Sequence, residues 1–122
     1  MIRRADNDKY AIPGGQQEAG ETLTQTAIRE TKEETGFDVS VIDLIGLYSN
    51  PNHVIAYDDG EVRQEFSICF RAHLIGGSAK TSSESKEVVW VPENQIENLN
   101  IHPSIRLRLS HGIDRKGKVY YT

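Results

Sequence analysis

With a single cysteine, this chain cannot form an internal disulfide, which fits a reducing compartment. Cys69 stands within Phe66-Ser67-Ile68-Cys69-Phe70, where an unpaired thiol acts as a small hydrophobe. No apolar run approaches the length of a membrane span, and no secretory h-region is present. Lysine and arginine cluster no further than Arg3-Arg4, against a net charge of −4. That balance excludes the basic face of a duplex nucleic-acid binder. The histidines, at positions 53, 73, 102 and 111, are dispersed and lack zinc-ligand spacing. There is no internal repeat and no linker. These absences predict a soluble, cytoplasmic protein with neither a membrane nor a duplex as partner. An acidic chain can still hold a polyphosphate when divalent cations stand between its carboxylates and the ligand.

The 122 residues, 37% hydrophobic and 26% charged, are enough for one domain over residues 1–122 with a core that needs no staples. Met1-Ile2-Arg3-Arg4 reads as the end of a strand, followed by a turn at Asp6-Asn7-Asp8 and a short extended piece closed by Pro13-Gly14-Gly15. Residues 22–35 contain no Gly or Pro and predict a helix, with Thr22 as N-cap and Gly36 as its stop. Strand propensity rises from Val39 to Tyr48. Asp58-Asp59-Gly60 is hairpin-turn chemistry, and from Val62 to Leu74 apolar and polar residues alternate with one break at Gln64. Residues 76–85 read as a polar loop, and Val88-Val89-Trp90-Val91 as a strand ended by Pro92. A second helix is expected over residues 103–111, stopped by Gly112. Trp90 and Phe66 are assigned to the core. Tyr10, Tyr48 and Tyr57 are candidates for stacking on a base, with nothing to select one. Mixed strands and helices indicate an α/β or α+β fold.

The informative stretch is Arg29-Glu30-Thr31-Lys32-Glu33-Glu34. On a helix, Glu33 lies about 60° to one side of Glu30 and Glu34 about 40° to the other, so three carboxylates share an arc of about 100°. Like charges so spaced weaken a helix, and the macrodipole disfavours them in its second half. Such a string alone is usually a solvated face with Arg29 and Lys32 as partners. Its flank shifts that reading, because the Pro13-Gly14-Gly15 loop lets backbone approach an ion or phosphate closely. Hard oxygen ligands on a rigid helix beside a glycine loop suit Mg²⁺.

Residues 15–37 resemble the Nudix box, G-x5-E-x7-R-E-U-x-E-E-x-G-U with U a bulky aliphatic residue. Gly15, Glu21, Arg29, Glu30, Glu33, Glu34 and Gly36 occupy its fixed positions. Thr31 and Phe37 depart from the pattern, each standing where an aliphatic residue is usual. Thr31 keeps a methyl for packing, so the chemistry is expected to survive. The resemblance implies an α/β/α sandwich around a mixed sheet. It also implies that Glu30, Glu33 and Glu34, with the Gly14 carbonyl, bind Mg²⁺, or alternatively Mn²⁺. Arg29 would orient the glutamates and Glu21 would brace the box. A later acidic residue often serves such proteins as ligand or base; Glu87 is the first choice and Glu84 the second. Arg3 and Arg4, ahead of the glycine loop, are candidates for contacting substrate phosphate.

The chemistry so implied is metal-dependent hydrolysis of a phosphoanhydride in a nucleoside diphosphate derivative. A nucleotide, a nucleotide sugar and ADP-ribose all remain open as substrates. A non-catalytic Nudix-like binding or regulatory module and an inactive fragment are the alternatives. Related domains place a further strand ahead of the position of Ile2, so an unpaired inner edge is expected at residues 2–4. Self-association into a homodimer would close it.

Overall fold

The computed structural model describes residues 1–51, 54–56, 60, 62–64, 66–115 and 117–122, so His53, Tyr57 and the expected Asp58-Asp59 turn lie outside the described residues. In chain order the elements are β1 (Ile2–Arg4), β2 (Tyr10–Ala11), α1 (Leu23–Thr35), β3 (Phe37–Tyr48), β4 (Val54–Ala56) and β5 (Val62–Gln64). There follow β6 (Ser67–Gly77), β7 (Ser85–Val88), a 3-10 helix (Glu93–Asn98), α2 (Pro103–Asp114) and β8 (Tyr120–Tyr121). They form three sheets, ordered β2-β1-β7, β6-β3-β8 and β4-β5. Pairing is mixed, because β8 joins β3 in parallel and the other named pairs are antiparallel.

Helix α1 is delimited as its sequence predicts, and more tightly. The Thr22 hydroxyl accepts from the Gln25 N–H at 3.2 Å while the Gln25 side chain accepts from the Thr22 N–H at 2.8 Å. This reciprocal box contributes about 1 kcal/mol. At the other end Gly36 takes φ of 80°, and its N–H donates to the Lys32 carbonyl. A side chain there would also strike the Ser78 carbonyl and Lys80, which pack against this turn. The helix buries Thr26, Glu34 and Thr35 rather than an apolar stripe. Thr26 and Thr35 satisfy their hydroxyls on carbonyls four residues back, at 3.1 and 2.6 Å.

The long antiparallel pairing of β3 with β6 runs from Phe37 opposite Gly77 to Tyr48 opposite Ser67, with three register shifts. Helix α1 packs on β3 near its start and α2 near its end. Among the described residues, the buried apolar ones are Ile2, Ala11, Tyr48, Cys69 and Ile101. Burial pushes the Cys69 thiol above its ordinary pKa, in keeping with a packing role.

Several expectations are corrected. The strand expected through Val91 ends at Val88, and its backbone pairing closes at Val89, which exchanges hydrogen bonds with Met1 at 2.8 and 2.7 Å. Trp90 then lies 69% exposed, leaning on Phe37 with ring centroids 5.4 Å apart, and Phe66 is 71% exposed. Residues 76 and 77 belong to β6 and Ser85 to β7, so the polar loop is shorter than its composition suggests. Helix α2 runs through Gly112 to Asp114. Gly112 is buried there because a Cβ would come within 3.2 Å of Ile45 Cδ1; it permits close approach of α2 to β3 and does not stop the helix. Finally, β1 has β2 on one edge and β7 on the other, so the unpaired edge expected at residues 2–4 is filled.

Candidate active site

Arg29 organises the acidic face of α1. Its Nε donates to Glu21 Oε2 at 2.6 Å and its Nη2 to Glu21 Oε1 at 3.1 Å, a two-pronged pairing. The remaining nitrogen, Nη1, donates to Glu30 Oε1 at 2.8 Å and reaches Glu33 at 3.3 Å, while Nη2 also meets the Gln16 carbonyl at 3.0 Å. The guanidinium is held firmly protonated by Glu21 first and Glu30 second. In return, Arg29, the Glu18 N–H and the Thr26 hydroxyl draw the Glu21 carboxyl down to about 2. Glu21 thus ties the glycine loop to the helix.

The glycine loop closes on the same face. The Gly14 N–H donates to Glu34 Oε2 at 2.8 Å. A methyl on Gly15 would land on the Glu30 carboxylate, so only glycine allows this approach. Glu30, Glu33, Glu34, Gly14 and Gly15 line a cleft of about 330 Å³, with Glu84 facing them from the loop before β7. The three carboxylates differ in environment. Glu34 is only 6% exposed, the Glu30 side chain 14% and the Glu33 side chain 58%. Burial raises the Glu34 carboxyl to about 7, opposed by the Gly14 N–H and reinforced by the negative charges of Glu30 and Glu84.

Ser85, fully buried at 0% exposure, is a site residue that sequence reading missed. Its hydroxyl donates to the Glu34 carbonyl at 2.8 Å and accepts from the Ser82 N–H at 3.1 Å. This clasp sets the loop carrying Glu84 beside Glu34. The composition of Ser82-Ser83-Glu84-Ser85 gave only loop character, and no spacing singled out one serine.

Of the two acidic candidates beyond the box, Glu84 lines the cleft. Glu87 instead accepts from Arg3 Nε at 3.1 Å and from the Tyr10 hydroxyl at 3.3 Å, and is not among the cleft-lining residues. Arg3 also pairs with Asp8 at 3.0 Å. Arg4 makes a fork with Asp6 at 2.8 and 2.6 Å, yet still lies within the electrostatic reach of Glu34 and Glu84. Among the described residues, no three His, Cys, Asp or Glu side chains converge tightly enough to cage an ion unaided. Mg²⁺ does not require such a cage, since it keeps several waters and takes one or two carboxylates together with substrate phosphates.

Comparison with known proteins adds to this geometry. A family profile described as the NUDIX domain matches residues 1–110. A MutT-like protein of Streptomyces ambofaciens is 34% identical over 116 residues, covering 95% of this chain and 68% of that protein. An ADP-ribose pyrophosphatase of Methanocaldococcus jannaschii is 36% identical over 107 residues, covering 81% of this chain and 57% of that protein. Among solved structures, a NUDIX hydrolase from Nitrosomonas europaea superposes with a TM-score of 0.78 at 27% identity, covering 99% of this chain and 69% of its own. The chain thus spans between 57% and 69% of the length of these relatives. Among the described residues, no helix is long and apolar enough to cross a membrane.

Proposed function

The chain belongs to the Nudix family, with the family's α/β/α fold, and from that premise we propose that it is a metal-dependent pyrophosphohydrolase. In this reading residues 1–122 act as one domain that cleaves a phosphoanhydride in a nucleoside diphosphate derivative. The observation that carries the proposal is the nearly buried Glu34 carboxylate, facing Glu30, Glu33 and Glu84 in a cleft that, among the described residues, no lysine or arginine lines. A carboxyl raised to about 7 in that setting is relieved by a cation.

The donor set fits a hard divalent ion, consistent with the general use of such ions by Nudix hydrolases. Glu30, Glu33, Glu34 and the Gly14 carbonyl would hold Mg²⁺, with Mn²⁺ as substitute. The bound ion supplies charge neutralisation of the phosphate oxygens and acidification of a water. Around it, Arg29 holds the Glu30 carboxylate toward the cleft through its Nη1 hydrogen bond, and Glu21 keeps Arg29 in place. Glu84, with its place in the cleft, is suited to accept the proton of the attacking water. The water oxygen bonds to one phosphorus while the bridging P–O bond breaks, leaving a nucleoside monophosphate and a second phosphorylated fragment. Glu87 is assigned to holding Arg3, and Arg4 is the nearer arginine for substrate phosphate.

A panel of nucleoside triphosphates, nucleotide sugars and ADP-ribose, assayed with Mg²⁺ and with chelator, tests the proposal. Mg²⁺-dependent release of a monophosphate from at least one compound is expected; none from any would refute it. We also propose a homodimer, supported by the exposed apolar side chains Ile42, Leu74 and Ile75 on β3 and β6. Sedimentation as a monomer at micromolar concentration would remove it.

A further inference from the structure

A second cavity, of about 480 Å³, adjoins the acidic cleft and shares Glu33 and Ser82 with it. The two are opposite in charge. Among the described residues, four carboxylates and no cation line the cleft, whereas Lys32 and Lys80 line the neighbour with Glu33 as its one carboxylate.

Lys80 is fixed at its root. Its N–H donates to the Thr35 carbonyl at 2.8 Å, and its Cβ packs on Gly36, where the absence of a side chain lets the loop close on the end of α1. Among the described residues its ammonium has no carboxylate partner, although the chain carries a net charge of −4. Lys32 is occupied in part, by Asp38 at 3.1 Å and the Gly36 carbonyl at 3.2 Å. It therefore contributes field more than a free donor. Ser78 and Thr81 add hydroxyl groups to the same wall.

From this juxtaposition we infer that the Lys80 cavity seats a phosphate beyond the scissile anhydride. This rests on the hydrolase reading and narrows its substrate class to nucleoside triphosphates over sugar-terminated diphosphates. A ligand whose anhydride lies over the carboxylates meets, in the adjoining cavity, an ammonium on a side chain anchored at its root, together with hydroxyl donors. A neutral sugar in that position offers the ammonium hydroxyl acceptors but no opposite charge. A phosphate completes it with a charge-assisted contact.

The test is calorimetric titration of the full chain with inorganic triphosphate and with pyrophosphate, both in Mg²⁺. The unsubstituted protein should bind triphosphate at least about tenfold more tightly than pyrophosphate, the ratio expected of one charge-assisted contact. K80A should remove most of that preference while leaving pyrophosphate affinity within about twofold, and K80R should retain it, since K80A removes the cation and K80R keeps it. K118A removes the same charge near β8, at the opposite end of β3, and should leave the preference intact. Equal affinity for the two probes, an unchanged preference in K80A, or an equal loss in K118A would each overturn the inference. Hydrolysis on the nucleotide panel is a separate readout. A chain with the expected binding pattern but no Mg²⁺-dependent turnover refutes the hydrolase reading and leaves the phosphate seat standing.

Discussion

The two ends of β3 use an arginine in opposite ways. On the helix leading into Phe37, Arg29 is wrapped in carboxylates, so that Glu30 and Glu33 can share one helix face with Glu21 reaching in from the preceding loop. Near Tyr48, Arg108 lies over an aromatic ring, 4.2 Å from its centroid, and donates to the Ser67 hydroxyl. There Tyr48 and His111 share a hydrogen bond at 2.8 Å, and Tyr120 packs against both rings. Arg71 closes the cluster by donating to the Gly112 carbonyl at 2.6 Å. The first end concentrates like charge and leaves a cleft open. The second end spends its polar groups on one another and fills its space. Concentrated, incompletely neutralised charge is what a reaction needs, while mutual satisfaction is what a fold needs.

The comparison can be broken or sharpened by substitution. The largest expected effect is on the acidic end, where Glu34→Gln should lower Mg²⁺-supported hydrolysis by roughly 10²-fold or more, the scale of losing a strong transition-state electrostatic contact. Steady-state rates at saturating Mg²⁺ check this, with circular dichroism to show the fold retained. Next is Arg29→Ala, which frees Glu30 and Glu33 without touching the cleft. A loss of roughly 10–100-fold in activity or metal affinity is expected, as for other residues that orient ligands. A Mg²⁺ titration of the rate separates the two.

The pH dependence of stability should differ in sign between the ends. Metal-free Glu34 has its carboxyl raised from 4.5 to about 7, so the fold favours its protonated form. Stability from this group is full below pH 4.5 and is lost as pH rises toward 7, by roughly 3 kcal/mol at most. The His111 ring is lowered from 6.5, by burial first and by Arg115 and Arg108 after it. The fold favours its neutral form, and stability is lost as pH falls below 6.5. Thermal melts in chelator should therefore show Glu34→Gln removing the loss on the alkaline side and His111→Gln the loss on the acidic side. The smallest effect is Tyr48→Phe, which deletes the hydrogen bond to His111 and should cost about 1 kcal/mol in urea unfolding with hydrolysis within twofold.

How much of this was legible differs along the chain. The box helix was readable because its signals are local: Thr22 caps it, Gly36 ends it, and Thr22-x-x-Gln25 already carried the capping box that the reading overlooked. The alternation from Val62 to Leu74 sets Cys69 on the polar face, whereas the usual behaviour of an unpaired thiol points it inward, and the structure buries it. Trp90 and Phe66 lie exposed where patterning predicts core, because patterning reports what could be buried and burial depends on a partner; the Phe37 ring covers one side of Trp90 and still leaves it 69% exposed. Gly112 reads as a helix stop in the sequence because the approach of Ile45, which requires a glycine there, is a tertiary contact. The preference for Glu87 over Glu84 rested on a loop with no spacing rule, and only the Ser85 clasp on the Glu34 carbonyl shows which glutamate faces the cleft.

The division of labour along β3 is tested most directly by measuring hydrolysis and melting temperature together on Glu34→Gln and Tyr48→Phe, the melts in chelator at pH 8. The account predicts a crossed pattern. Glu34→Gln loses Mg²⁺-dependent turnover yet melts higher than the unsubstituted chain, because a carboxyl with a raised pKa no longer has to ionise inside the fold. Tyr48→Phe melts lower and turns over normally. Near-normal turnover in Glu34→Gln at saturating Mg²⁺, or a Tyr48→Phe variant that loses activity without losing stability, would contradict it.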